Sequence, residues 1–244
     1  MKVIALIPAR YASTRFPYKL LQKLGNKTVI RHTYDNTVAT GLFDEVIVVT
    51  DHQQILEEIE SNGGKAIMSK REHESGSDRI AEAAAEMEVD VILNVQGDEP
   101  FMNKAALQGL IEVFRDADKN VQVASLMKKI NNPVLVNDPN YVKVVVDRNM
   151  NSLLFSRSPI PYHRDKDIHP DYYEHVGVYA FRKAALMLFT QWPITPLEAA
   201  EKIECLRYLE NGIPLKMVIT EEASVKIDVP EDLVKAEEFL RRKN

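Results

Sequence analysis

Short runs rich in Val and Ile recur along this chain, and the stretches between them carry helical patterns. A strand that is apolar along its whole length must be buried on both faces. Such strands alternating with helices are the signature of a mostly parallel sheet covered by helices on both sides. Val3 to Ile7, Val46 to Thr50, Lys65 to Met68 and Val91 to Val95 read as strands of this kind in the first half. Val123 to Met127, Val142 to Asp147, Leu153 to Ser156, Val176 to Phe181 and Leu215 to Ile219 continue the series. Helices are expected over Lys27 to Thr40, Gln53 to Asn62, Ser77 to Glu88, Lys104 to Asp116, Arg182 to Gln191, Leu197 to Glu210 and Glu231 to Arg241. Gly63-Gly64 and Asn211-Gly212 sit where a left-handed residue ends a helix. The first half is therefore a repeated β-α-β unit with right-handed crossovers. After Asn120 the strands follow one another quickly, with Pro133, Pro139, Pro159, Pro161 and Pro170 in the connections, which predicts an antiparallel excursion over residues 120–180. With no low-complexity linker and no internal repeat, the 244 residues read as one α/β domain, 1–244, whose excursion suits contact with a second copy in a homodimer.

The single cysteine, Cys205, can form no internal disulfide, and no Cys and His pattern suits zinc, so a reducing, cytoplasmic compartment is expected. The start MKVIALIPAR has too short an apolar run for a secretory signal, and no run is long enough to span a membrane. A soluble protein is expected. A net charge of −5 argues against nucleic acid or an anionic membrane as partner. The average hides an asymmetry, because Met1 to Tyr34 holds seven basic residues and no Asp or Glu. A compact cationic patch in an otherwise acidic chain points to a small anionic ligand, although a solvated basic face has the same composition.

Ligands of open α/β sheets bind beyond the carboxyl ends of the strands, so the segments just after each strand matter most. The first, Pro8-Ala9-Arg10-Tyr11-Ala12-Ser13-Thr14-Arg15-Phe16-Pro17-Tyr18-Lys19, stands where a dinucleotide-binding chain carries GxGxxG and contains no glycine. Its backbone cannot approach a pyrophosphate in that manner. Arg10, Arg15 and Lys19 must do the work with side chains, the arginines as planar forks and the lysine as a mobile point charge, a combination suited to a triphosphate. The second segment is Gln96-Gly97-Asp98-Glu99-Pro100, where Asp98 either holds Mg²⁺ or shapes a turn. The third is Lys226-Ile227-Asp228-Val229-Pro230-Glu231, where spacing alone reads Asp228 as a helix cap of capping-box type with Glu231, and a second metal carboxylate is the alternative. In Ser75-Gly76-Ser77-Asp78-Arg79 the hydroxyls and glycine could meet a base or ribose, and Ser77 would equally serve as a cap. Arg157 and His175 fall in the irregular second half, where structural roles are the commoner ones.

Taken together, IPARYASTRFPYK, SGSDRIAEA, ILNVQGDEPF, FSRSPIP, EHVGVYAFRK, PLEAAEKIECLRYLENG and IDVPEDL resemble, in order and spacing and from end to end, the 3-deoxy-manno-octulosonate (Kdo) cytidylyltransferases. The resemblance implies a Rossmann-like nucleotidyltransferase fold and a cytoplasmic homodimer. The implied reaction transfers CMP from CTP to the anomeric 2-hydroxyl of Kdo, giving CMP-Kdo for lipopolysaccharide biosynthesis and releasing pyrophosphate. By matching position, Arg10, Ser13, Arg15 and Lys19 bind the triphosphate, Ser75 and Gly76 border the cytidine, and Asp98 and Asp228 hold Mg²⁺, as two ions. Gln96 lies between nucleotide and sugar, and Arg157, His175 and Glu204 line the acid-sugar site. Three positions depart from the family pattern. Tyr18-Lys19-Leu20 stands where relatives often read Gly-Lys-Pro, and Cys205 stands where they commonly read Gln. A thiol is a poor hydrogen-bond partner, so Cys205 raises the alternative of a variant acceptor such as 8-amino-Kdo or a sialic-acid-like sugar. A sugar-phosphate nucleotidyltransferase should carry a glycine-rich first loop, and a regulatory nucleotide binder should lack a metal carboxylate.

Overall fold

A computed structural model of the chain describes residues 1–13, 15–73, 75–115, 121–165, 167–221 and 226–243. The chain divides into two compact units, Met1–Gln108 with Ala223–Asn244, and Gly109–Glu222.

The first unit is built on four parallel strands in the order β6, β1, β4, β5. These are β1 (Val3–Ala9), β4 (Glu45–Thr50), β5 (Ala66–Met68) and β6 (Val91–Asn94). Every residue of VIALIPA in β1 is buried, as a strand flanked on both edges and covered on both faces requires. The helices are α1 (Val29–Ala39), α2 (Gln53–Glu60) and α3 (Gly76–Ala84), with a C-terminal helix over Pro230–Lys243, while α4 (Lys104–Arg115) begins in this unit and continues in the second from Gly109. The expected last residue of α4, Asp116, lies outside the described residues. Helix α1 begins later than Lys27 because Lys27–Thr28 (β3) pairs with Lys23–Leu24 (β2) in a small hairpin that turns at Gly25, φ +62°. Thr28 then caps α1 by accepting from the Arg31 N–H at 3.2 Å. Gly63 takes the left-handed conformation after α2, as its sequence predicts.

The second unit holds β7 (Val123–Lys129), β8 (Lys143–Val146), β9 (Ser152–Ser156), β10 (Tyr173–Arg182) and β11 (Leu215–Ile219). Only β7 and β11 run parallel; β10 is antiparallel to β7 and β8, and β8 to β9, so the antiparallel excursion is present. The helices of this unit are α5 (Pro133–Val136), α6 (Lys183–Gln191), α7 (Pro196–Glu201) and α8 (Leu206–Glu210). The single helix expected over Leu197 to Glu210 is thus two. Lys202, φ 54°, ends α7 in the left-handed region, and the turn that follows buries Ile203, Cys205 and Leu206. Burial of those side chains offsets the strain at Lys202, which sequence periodicity does not register.

Candidate active site

The carboxyl end of β1 runs into the cationic loop, and the loop is pinned at both ends. At its start the Tyr11 N–H donates to Asp51 Oδ1 at 2.9 Å, and Asp51 Oδ2 accepts from Arg79 Nη2 at 2.8 Å. Arg79 is buried and also donates towards the Ala9 carbonyl, so this guanidinium ties the ends of β1 and β4 to α3. At its far end Phe16 and Leu20 are buried, and the Lys19 N–H donates to the Phe16 carbonyl at 3.2 Å in a short 3-10 turn, Lys19–Leu21. Gly97 is required beneath that turn, because a Cβ there would lie 3.0 Å from the Pro8 carbonyl and 3.3 Å from Leu20.

A cavity of about 300 Å³, within the range of small-ligand sites, opens among these elements. It is lined by Arg10, Ser13, Arg15, Lys19, Ser75, Gly76, Gln96, Asp98 and Asp228. All the nucleotide and metal residues expected from the sequence therefore meet in one place. Of the seven early cations, Lys27 and Arg31 instead pair with Asp35, at 2.8 and 2.7 Å. Sequence reasoning missed His73, Arg79 and Lys226, which also line the cavity. Lys226 stands two residues before Asp228 in a segment already marked, and a lysine that close to a candidate metal ligand was the available signal.

The acids and bases are interlocked. Lys19 Nζ donates to Asp98 Oδ2 at 2.6 Å and to Asp228 Oδ1 at 3.2 Å, while Arg15 and Lys226 reach Asp228 at 3.4 and 3.5 Å. Burial would raise the Asp228 carboxyl, but Lys226, Lys19 and Arg15 together outweigh it and hold the group below the usual carboxylate range. Burial would likewise lower the Lys226 ammonium, and Asp98, Asp228 and Glu99 hold it up instead. The Asp228 carboxylate thus faces the cavity cations. The cap of the C-terminal helix comes from Asp232, whose carboxylate accepts from the Asp228 and Val229 N–H groups at 3.1 and 3.2 Å, so Glu231 is not the partner its spacing predicts. Similarly α3 is capped by Ser75, accepting from the Asp78 N–H at 3.1 Å, and not by Ser77. A Cβ on Gly76 would lie 3.1 Å from Pro8, which keeps that cavity wall free of a side chain.

Tyr18 adopts φ 53°, ψ 31°, the left-handed region that a glycine would enter without strain. Its ring packs 4.6 Å from Tyr11, which in turn stacks on His52 at 3.6 Å. The ring stack offsets the backbone strain. Tyr18→Ala, which keeps the strain and loses the ring, should be less stable than Tyr18→Gly by about 1 kcal/mol in denaturant unfolding. Equal stability of the two variants would mean that the left-handed backbone carries no penalty.

The remaining expected sugar residues, Arg157, His175 and Glu204, belong to the second unit and do not line this cavity. The Arg157 guanidinium is taken up by backbone carbonyls, those of Glu201 at 2.6 Å, Pro139 at 2.7 Å and Lys202 at 3.4 Å. Glu204 lies in the turn before α8, and its carbonyl accepts from the Arg207 N–H at 3.1 Å. Cys205 is 1 % exposed, its thiol pushed up by burial and hydrogen-bonded with the Tyr179 hydroxyl. A thiol packed in this way is not presented to a substrate, which removes the reason for reading it as a sign of a variant acceptor.

His175 pairs its Nε2 with Ser125 Oγ at 2.9 Å, and that hydroxyl donates to the Val178 carbonyl at 2.8 Å, so the neutral ring donates from Nε2–H. Burial pushes its pKa down to about 3. Unfolding frees the imidazole to bind a proton below its ordinary pKa. His175 therefore favours the fold fully above roughly pH 6.5, and this contribution falls as the pH drops towards 3. His175→Gln should flatten the loss of Tm between pH 7 and 4 relative to the unsubstituted protein; identical slopes would show that the ring is not held neutral.

A parallel β-α-β unit whose first strand ends in a cavity of cations and paired carboxylates defines a nucleotide-dependent transferase of the cytidylyltransferase class, and the cytidylyltransferase family model matches residues 4–226. The 3-deoxy-manno-octulosonate cytidylyltransferase of Flavobacterium johnsoniae is 57 % identical over 99 % of both chains, and that of Christiangramia forsetii is 52 % identical over 98 % of this chain and 97 % of its own. The solved structure of a CMP:2-keto-3-deoxy-manno-octonic acid synthetase complexed with CTP superposes with a TM-score of 0.95 at 36 % identity, covering all of both chains. The chain belongs to the 3-deoxy-manno-octulosonate cytidylyltransferase family.

Proposed function

We propose that this protein transfers the cytidylyl group of CTP to the anomeric 2-hydroxyl of Kdo and releases pyrophosphate. The observation that carries the reading is the convergence of Arg10, Arg15, Lys19, Asp98 and Asp228 on one cavity, in a chain whose curated relatives carry the Kdo cytidylyltransferase name over their full length. Arg10, Arg15 and Lys19 grip the triphosphate, Ser13 lies beside it, and Ser75 and Gly76 form the cytidine wall. As the bond between the α- and β-phosphates breaks, negative charge grows on the pyrophosphate, and cations already aimed at it lower the barrier. Gln96 lines this wall, and Arg157, His175 and Glu204 of the second unit are the residues assigned to the acid sugar.

Asp98 and Asp228 fit magnesium and would hold it, since two carboxylates that already share one ammonium suit a hard cation that takes oxygen ligands. Among the described residues no cluster of three or more metal-ligating side chains competes for that role. Bound there, Mg²⁺ supplies neutralisation of the triphosphate and a lowered pKa for the attacking hydroxyl.

Leu153 and Leu154, exposed on the outer strand β9, favour a homodimer, to be checked by light scattering. Among the described residues no helix is long and apolar enough to cross a membrane, and dependence on CTP suits a cytoplasmic reaction. The deciding experiment measures pyrophosphate release with each of the four nucleoside triphosphates against Kdo, 8-amino-Kdo, sialic acid and no acceptor. Release is expected with CTP and Kdo. Release without an acid sugar, or a preference for another triphosphate, overturns the reading.

A further inference from the structure

Lys19 occupies the position between two carboxylates that a dication would also neutralise. The Lys19 and Asp98 side chains are only 12 % and 14 % exposed, so their 2.6 Å contact is shielded from solvent, and Asp228 completes the bridge at 3.2 Å. Arg15 and Lys226 also face Asp228, so the pair is already surrounded by three cations. A magnesium ion arriving alone would have to expel the ammonium from a low-dielectric contact and then lie among unpaired positive charges. A triphosphate reverses this balance. It offers Lys19, Arg15 and Lys226 anionic acceptors of their own and leaves the two carboxylates without a counter-charge. The backbone of Lys19 need not move, because the buried Leu20 and the Phe16 carbonyl fix the turn and only the four-carbon stem has to swing.

We propose that Lys19 is a resident counter-ion that closes the Asp98–Asp228 pair to metal until a nucleoside triphosphate draws it away. Metal and nucleotide then enter this cavity as coupled ligands, each raising the affinity of the other by the same factor. The proposal rests on the reading that Asp98 and Asp228 hold the metal.

The test is Mn²⁺ binding to the full chain, followed by electron paramagnetic resonance without nucleotide. The unsubstituted protein is expected to show no site tighter than about millimolar. Lys19→Met should bind Mn²⁺ at least on the order of tenfold more tightly, by removing about 1.4 kcal/mol or more of opposition, and a second substitution, Asp228→Asn, should abolish the gain. Equal Mn²⁺ affinity in the unsubstituted protein and Lys19→Met overturns the proposal. A measurement needing no Lys19 variant does the same: a micromolar Mn²⁺ site in the nucleotide-free protein, lost in Asp228→Asn, would show that the ammonium does not exclude metal. If Asp228→Asn leaves CTP-dependent Mn²⁺ uptake unchanged, the metal assignment itself fails and the proposal with it.

Discussion

Replacing Lys19 with alanine should lower kcat for pyrophosphate release by roughly 10²- to 10³-fold, while KM for the acid sugar moves by less than about threefold. The asymmetry follows from where the ammonium stands. It sits among the residues proposed to bind nucleotide and metal, at 2.6 Å from Asp98, and its charge gains most when the leaving pyrophosphate acquires its own. Arg15 is 68 % exposed and reaches Asp228 at only 3.4 Å, so water screens it and Arg15→Ala should lower kcat by a smaller factor, about tenfold. Steady-state kinetics with CTP saturating and the sugar varied separates the two parameters. If both variants lost sugar affinity equally with kcat intact, neither cation would act on the triphosphate. A Tm within a few degrees of that of the unsubstituted protein keeps the comparison free of misfolding.

These expectations rest on residues that were legible in the sequence because charge and strand ends are local properties. An apolar run such as VIALIP announces a buried strand, and topology places ligands beyond its carboxyl end, so Arg10, Arg15 and Lys19 could be singled out at once. Features that depend on distant partners were not legible. Lys226 joins Asp98 only because the last segment returns beside β6, where the Ile227 N–H donates to the Asp98 carbonyl at 3.0 Å. The choice of Asp232 over Glu231 as the capping acid turns on a difference of one residue in the helix start, which spacing does not resolve. The hairpin at Lys23–Thr28 was hidden under a helical pattern, and the break at Lys202 under an amphipathic one. Cys205 shows the same limit from the other side. Its type suggested a changed acceptor, whereas the fold buries the thiol against Tyr179.

The break at Lys202 has an energetic counterpart that leads to the largest expected effect on stability. It lets α8 fold back so that Arg207 meets Glu198 of α7 in a two-pronged contact, Nε to Oε2 at 2.7 Å and Nη2 to Oε1 at 2.6 Å. The guanidinium lies 3.9 Å over the Phe189 ring and donates to the Phe189 carbonyl at 3.2 Å. Both side chains are under 10 % exposed, so the charges are desolvated and each depends on the other. Removing one partner leaves a buried charge uncompensated, at about 3–5 kcal/mol, whereas an exposed pair contributes at most about 1 kcal/mol. Glu198 carries a second duty, since its carboxylate also reaches back to the Thr195 N–H in the capping box of α7. Glu198→Ala should therefore destabilise at least as much as Arg207→Ala. Exchanging both residues for apolar ones of similar volume should recover most of the loss, because no charge is then stranded. Chemical denaturation of the two single variants and the double variant measures this directly. If either single substitution costs less than about 1 kcal/mol, the pair behaves as a solvated surface contact, and the fold-back of α8 is held by the burial of Leu206 and Tyr208 alone.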